Sequence, residues 1–253
     1  MRKSIVGVVM TLAIFMTKEV IAQDAWSTRS EIGFVAARGN TSTETGNAKV
    51  EIVREINKWK YTLGTTGLYG KSQEIMTAQH VDGRFQADKS FAERMFWFGA
   101  LRYEDDRFSG FDYQTTATTG LGRKFIDNDA TKLTIQVGVG FRALRPETIV
   151  RDETGLVIAR ILGERDQDAV VNGALTFSHA INDHTKVIES LLVESGEANT
   201  LTRNDLSLEV KMIRALALSL GVSVRHNSVP QNALKRTDTL TTVNLVYLKS
   251  SGP

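Results

Sequence analysis

The chain has 253 residues, no cysteine, and 31 basic against 29 acidic side chains. The lack of thiols rules out a disulfide framework and thiolate metal sites. The near-neutral, interspersed charge offers no footprint for nucleic acid, so no nucleic-acid partner is expected.

Residues 1–22 read as a signal peptide: Arg2 and Lys3, an apolar run from Ile5 to Met16, then Val20-Ile21-Ala22 as a small-residue cleavage site. The run falls short of the roughly 18 residues that argue for a membrane-spanning helix. Cleavage after Ala22 removes three of the 31 basic residues (Arg2, Lys3, Lys18) and one of the 29 acidic ones (Glu19), leaving 28 of each. No Pro/Ser-rich linker interrupts residues 23–253, so they are expected to form one domain.

Twelve strand-like segments follow: 26–38, 43–56, 59–71, 76–89, 93–105, 112–126, 131–145, 168–181, 185–195, 200–213, 217–228 and 237–249. The odd-numbered gaps hold 4, 4, 6, 22, 4 and 8 residues and the even-numbered ones 2, 3, 4, 3 and 3. An even number of antiparallel strands, with tight turns at one end and longer loops at the other, is the pattern of an outer-membrane barrel. The predicted fold class is all-β, a transmembrane antiparallel up-and-down β-barrel of about 12 strands. Pro146 and Pro230 fall in the two longest gaps, away from ladders that a proline would interrupt.

Alternation is cleanest in 131–145, where Leu133, Ile135, Val137, Val139 and Phe141 oppose Lys132, Thr134, Gln136, Gly138, Gly140 and Arg142. Segments 200–213 and 217–228 repeat it. The polar faces carry both signs, and we expect Arg84, Arg102, Glu104, Lys132, Arg142, Arg203, Asp205, Glu209 and Arg225 to line the lumen. A soluble sandwich coated by the same charges would alternate in the same way. Phe96, Phe98, Ile188 and Leu192 fall opposite their apolar neighbours, as residues that fill part of a lumen do.

Aromatics collect near the strand ends. Trp26, Trp59, Tyr61, Phe125 and Tyr247 lie near the short turns, and Tyr69, Tyr103, Tyr113 and Phe141 near the long loops, a pair of girdles facing the two membrane interfaces.

Tyr103-Glu104-Asp105-Asp106-Arg107-Phe108-Ser109-Gly110-Phe111-Asp112-Tyr113, followed by Gly120-Leu121-Gly122-Arg123-Lys124-Phe125, resembles the central signature of the salt-induced outer-membrane proteins, a bacterial family of undefined activity. Gly39-Asn40-Thr41 matches that family's first loop, and Lys235, Asp238 and Tyr247 sit where its last strand is read. The chain departs from it at Gln114, where a basic residue is usual, and at its end, where Tyr247 is followed by Leu248, Lys249 and a short polar tail. The resemblance implies a Gram-negative outer-membrane barrel with a link to salt stress and no catalytic residues.

Reactive side chains are sparse. A lipid hydrolase would need a nucleophile and base converging near the outer rim. His80 and His226, with Ser72 or Ser228, are the candidates, because Ser178 and His179 are adjacent and point to opposite faces. Asp105, Asp106 and Asp112 bracket the third loop, but Ca²⁺ wants at least six oxygens and the spacing fits no calcium loop, so no metal is expected. Gly120, Gly122, Gly138 and Gly140 lead into no helix, which sets aside a phosphate cradle in favour of barrel bends or close packing. The expectation is a non-enzymatic, cofactor-free barrel in the cell outer membrane, a narrow pore or structural envelope protein. Its partners would be outer-membrane lipid, the barrel assembly machinery during biogenesis, and small ions or solutes. The alternatives are a membrane-embedded lipid-modifying enzyme and a soluble periplasmic lipid-binding β protein.

Overall fold

A computed structural model describes residues 24–37, 43–73, 75–106, 110–152, 157–197, 199–229 and 235–251. Residues 1–22, where a leader is expected, Gly39-Asn40-Thr41, residues 107–109, Pro230 and Pro253 lie outside the described residues.

Thirteen strands account for nearly all of the described chain: β1 (Asp24–Ala37), β2 (Thr43–Ile56), β3 (Trp59–Ser72), β4 (Ile75–Ser90), β5 (Met95–Asp106), β6 (Phe111–Asp127), β7 (Thr131–Arg151), β8 (Val157–Leu162), β9 (Asp166–Ala180), β10 (Thr185–Gly196), β11 (Thr200–Ile213), β12 (Leu216–Asn227) and β13 (Thr237–Ser251). Consecutive strands pair antiparallel except β8 and β9, β7 pairs with β8 and also passes over it to pair with β9, and β1 closes on β13 through Trp26↔Ser251 to Ile32↔Leu245. The result is a closed ring of twelve strands, which leaves no edge to pair with another chain.

Short turns tie one end. Asn57 takes the left-handed backbone (φ 54°) that a two-residue hairpin needs and that asparagine tolerates. Two further turns are closed by a side-chain carbonyl: Asn128 Oδ1 accepts from the backbone N–H of Ala130 and Thr131, and Asn182 Oδ1 from those of His184 and Thr185.

The 22-residue gap expected at 146–167 is a correction. β7 continues past Arg145 to Arg151 and folds back through β8, so this connection is largely a β-hairpin standing on the barrel. Pro146 lies inside β7, at the step where the strand leaves the barrel. There β6 is bulged between Phe111 and Tyr113, and the missing donor falls where the ladder changes partner. The next residue, Glu147, donates its N–H to Gly110 O at 2.8 Å, while Pro146 O accepts from the Gly163 N–H at 2.8 Å.

The two faces are inverted relative to a soluble protein. Ile32, Phe34, Leu63, Phe85, Leu101, Val137, Val139, Phe141 and Val171 all point outward, with Phe141 75% and Phe34 68% exposed. Asp82, Glu104, Arg142 and Glu209 point inward and are buried. A sandwich would bury the apolar side, so this inversion sets aside the soluble reading and marks the exterior as a lipid-facing wall. Phe96 and Phe98 do face the lumen, as their odd parity implied, and both are buried. Their rings lie where side chains of Gly120, Gly122 and Gly138 would be: a Cβ on Gly122 would stand 2.2 Å from Phe96 Cζ, and one on Gly138 2.9 Å from Phe98 Cζ. These glycines serve close packing.

Candidate functional site

The site is the lumen, and its geometry follows from strand register. Cross-strand neighbours share a face, so the pairs Asp82↔Glu104, Arg84↔Arg102, His80↔Asp106, Leu192↔Arg203 and Arg203↔Arg225 put all of these side chains inside. Closure then brings distant walls together. Arg203 on β11 sits 3.5 Å from Asp82 on β4, and Arg225 on β12 contacts Glu104 and, at 3.2 Å, Asp106 on β5. In a ring of twelve, β4 and β11 are six strands apart either way round, and so are β5 and β12. These ion pairs cross the full lumen. An arginine and an aspartate laid end to end span roughly 14 Å between Cα atoms, so the barrel is oval, with the β4–β5 and β11–β12 walls on its short axis.

The network continues around the wall. Arg102 donates to Glu104 at 2.7 Å and also pairs with Glu194 on β10. Arg203 Nε lies 3.2 Å from Asp205, whose other oxygen accepts from Ser223 Oγ at 2.5 Å. His80 stands among the carboxylates: Nε2 is 3.8 Å from Asp82 Oδ2, and Nδ1 is 3.9 Å from Glu104 Oε1 and 3.5 Å from Asp106 Oδ2. In this group five carboxylates (Asp82, Glu104, Asp106, Glu194, Asp205) face three guanidiniums (Arg102, Arg203, Arg225), an excess of two negative charges when the imidazole is neutral.

The other charges expected in the lumen are distributed as follows. Arg84 pairs with Glu51. Glu209 is held by Arg29 and, at 2.9 Å, by Lys186. Lys132 is exposed beside the short turn at 128–130. Arg142 faces inward and is fully buried, forked onto Asp168 at 3.0 and 2.5 Å, and donates to Asn199 O at 2.9 Å.

Glu194 was missed by sequence reasoning. It shares the inward parity of Ile188 and Leu192, which hid the polar face of β10. Gln114, where the resemblance leads one to expect a basic residue, is buried directly opposite Glu104.

The aromatic positions sit on the outer wall. Lys249 lies over Trp26 (5.4 Å), Lys89 over Trp59 (5.3 Å) and Arg123 over Phe125 (5.2 Å), while Trp59 stacks on Tyr61 at 5.8 Å. Tyr247 is exposed close by, as is Trp97, which the girdle assignment omitted. Toward the other end Tyr69 and Tyr103 are exposed and Tyr113 is half-buried. The enzymatic candidates are separated by the wall: His80 points inward, whereas His226, hydrogen-bonded to Thr237 Oγ1 at 2.9 Å, has the outward parity of Val222 and Leu220. Ser228 is engaged with Asn199 and the Thr200 N–H.

Residues 30–248 match the family model described as a protein of unknown function, DUF481. No curated protein matches the chain. Among solved structures, it is similar to the translocator domain of the autotransporter NalP from Neisseria meningitidis (11% identical, TM-score 0.45, covering 88% of this chain and 87% of that one). It is also similar to the NanC porin (11%, TM-score 0.44, 89% and 98%) and to the beta domain of the Bordetella autotransporter BrkA (11%, TM-score 0.43, 89% and 98%).

Proposed function

We propose that this chain, which belongs to the DUF481 family of proteins of unknown function, is a Gram-negative outer-membrane barrel that works as a narrow, ion-pair-closed pore. The observation that carries this reading is the pair of diametric bridges, Arg203–Asp82 and Arg225–Glu104/Asp106, which leave no wide aqueous path between the β4–β5 and β11–β12 walls. Small ions are the passengers such a constriction admits. The reading assigns the chain no catalysed reaction. The short-turn end faces the periplasm, the hairpin of β7 and β8 faces outside, and the surrounding partners are outer-membrane lipid and, during biogenesis, the barrel assembly machinery.

A role under salt or osmotic stress belongs to the same proposal. Arg203, its side chain 25% exposed, is the water-accessible end of its bridge, so this pair weakens as ionic strength rises, though less than a fully exposed pair, because the Debye length falls from about 10 Å at 0.1 M to about 3 Å at 1 M. Planar bilayers test both statements. Discrete small steps are expected, with a conductance that rises faster than bulk conductivity between those two concentrations. Asp82→Asn or Arg203→Ala should enlarge the steps at low salt, and Arg102→Ala, by removing a cation from the constriction, should shift selectivity toward cations. A bilayer that stays silent at every salt concentration would overturn the pore and leave a sealed, structural envelope barrel.

A further inference from the structure

We infer that His80, Glu104 and Asp106 form a binding site for a divalent transition-metal ion inside the lumen. Their nearest ligand atoms lie within 4.8 Å of one another. His80 Nδ1 stands 3.9 Å from Glu104 Oε1 and 3.5 Å from Asp106 Oδ2, too far for good hydrogen bonds and close to the separation of two ligands that share one ion at roughly 2.0–2.2 Å each. One imidazole and two carboxylates suit Zn²⁺ and its neighbours, with water completing the shell.

A second observation points to the same place. Asp82 is 7% exposed, and its Oδ2, without a hydrogen-bond partner, is directed at Nε2 of His80, 3.8 Å away. A carboxylate beside the far ring nitrogen is placed to take up the Nε2–H once Nδ1 binds a metal, the arrangement that orients metal-bound histidines. His80 Nδ1 also lacks a hydrogen-bond partner, so both ring nitrogens face carboxylate oxygens without a hydrogen bond between them. The two excess negative charges of the surrounding network match a divalent cation.

Arg225 supplies positive charge there in the metal-free barrel, its Nη1 lying against both Glu104 Oε1 and Asp106 Oδ2. A metal ion and this guanidinium compete for the same oxygens. Metal binding therefore releases the β12 wall from β5 and loosens the constriction, a consequence that rests on the pore reading, whereas the site itself rests only on side-chain geometry.

The experiment uses the full chain folded in detergent, stripped with chelator, and titrated with Zn²⁺ by calorimetry and with Co²⁺ by visible absorption. Saturable binding with the ligand-field bands of a nitrogen/oxygen site is expected. Removing the competitor in Arg225→Ala should tighten binding, His80→Ala should abolish the Co²⁺ bands, and Asp82→Asn should weaken affinity about 10–100-fold. Heat-modifiable gel migration verifies that each variant is folded, and His80→Gln replaces His80→Ala if the latter is not. Equal titration of wild type and the His80 variant, or no binding by Arg225→Ala, would overturn the site. Absent metal binding beside intact conductance removes this inference alone; metal binding to a barrel that never conducts removes the pore and keeps the site.

Discussion

Gly122 illustrates how single residues set the interior. A Cβ there meets three atoms of the Phe96 ring, at 2.2, 2.4 and 2.8 Å, and nothing closer from the backbone. Gly122→Ala should therefore destabilise the barrel by about 1–3 kcal/mol through overpacking, and Phe96→Leu in the same chain should recover most of that loss. Reversible urea unfolding in vesicles, read by tryptophan fluorescence as a double-mutant cycle, measures the coupling; additive losses would show that the ring is not the obstacle. Arg142 is a second case. With its side chain fully buried on Asp168, Arg142→Met removes the guanidinium forked onto that carboxylate in a closed space and should cost about 3–5 kcal/mol, while the Arg142→Met/Asp168→Leu pair should cost far less. Residue identity reveals only half of this. Strand parity alone places Phe96, Phe98 and Arg142 inside, but which glycine meets which ring, and which carboxylate meets Arg142, depends on the cross-strand registers Phe96↔Gly122, Phe98↔Gly120 and Arg142↔Asp168.

Strands were the legible elements, and one connection was not. Assigned ends agree with the structure to within two residues at most positions, because Asn57, Asn128 and Asn182 mark turns whose chemistry is local. The segment after Arg145 misled for an equally local reason: Pro146 argued for a loop, although the β-branched run Thr148-Ile149-Val150 and Val157-Ile158 on the return arm favour a hairpin. That hairpin is an appendage. β8 pairs with β7 alone, and the joint is held by Arg160–Glu147 at 2.7 Å and by Arg145 Nε donating to Gly163 O at 3.2 Å. Replacing residues 148–161 with a short Gly-Ser turn should therefore leave the twelve-stranded ring intact, seen as unchanged heat-modifiable migration. Failure of that variant to form a heat-modifiable band would mean that the hairpin guides closure of β6, β7 and β9 and is no mere ornament of the outer end.

At the scale of the whole molecule, sidedness and strand number were readable, since both follow from gap lengths and period-two alternation. The oval cross-section was not. It depends on which walls face each other after closure, and residues 121 positions apart, such as Asp82 and Arg203, carry no local mark of meeting. What alternation left open was whether the apolar face meets lipid or a second sheet, and the inverted barrel turns that question into a measurable difference in free energy. Val139 lies midway along the barrel part of β7 and is 60% exposed. On a water-facing surface, Val139→Arg would change stability by no more than about 0.5 kcal/mol. In a lipid-facing band the same change costs about 2–4 kcal/mol near the midplane and falls toward zero at the rim, so Thr239→Arg, on the outward face near the start of β13, should be close to neutral. Unfolding free energies of both variants in phospholipid vesicles decide the matter, because only a membrane makes the cost of an exposed arginine depend on its depth. Two neutral substitutions would mean that the apolar wall is covered by protein, and two equal losses would point to local packing; a large loss at 139 beside a small one at 239 is the outcome a lipid-facing exterior requires.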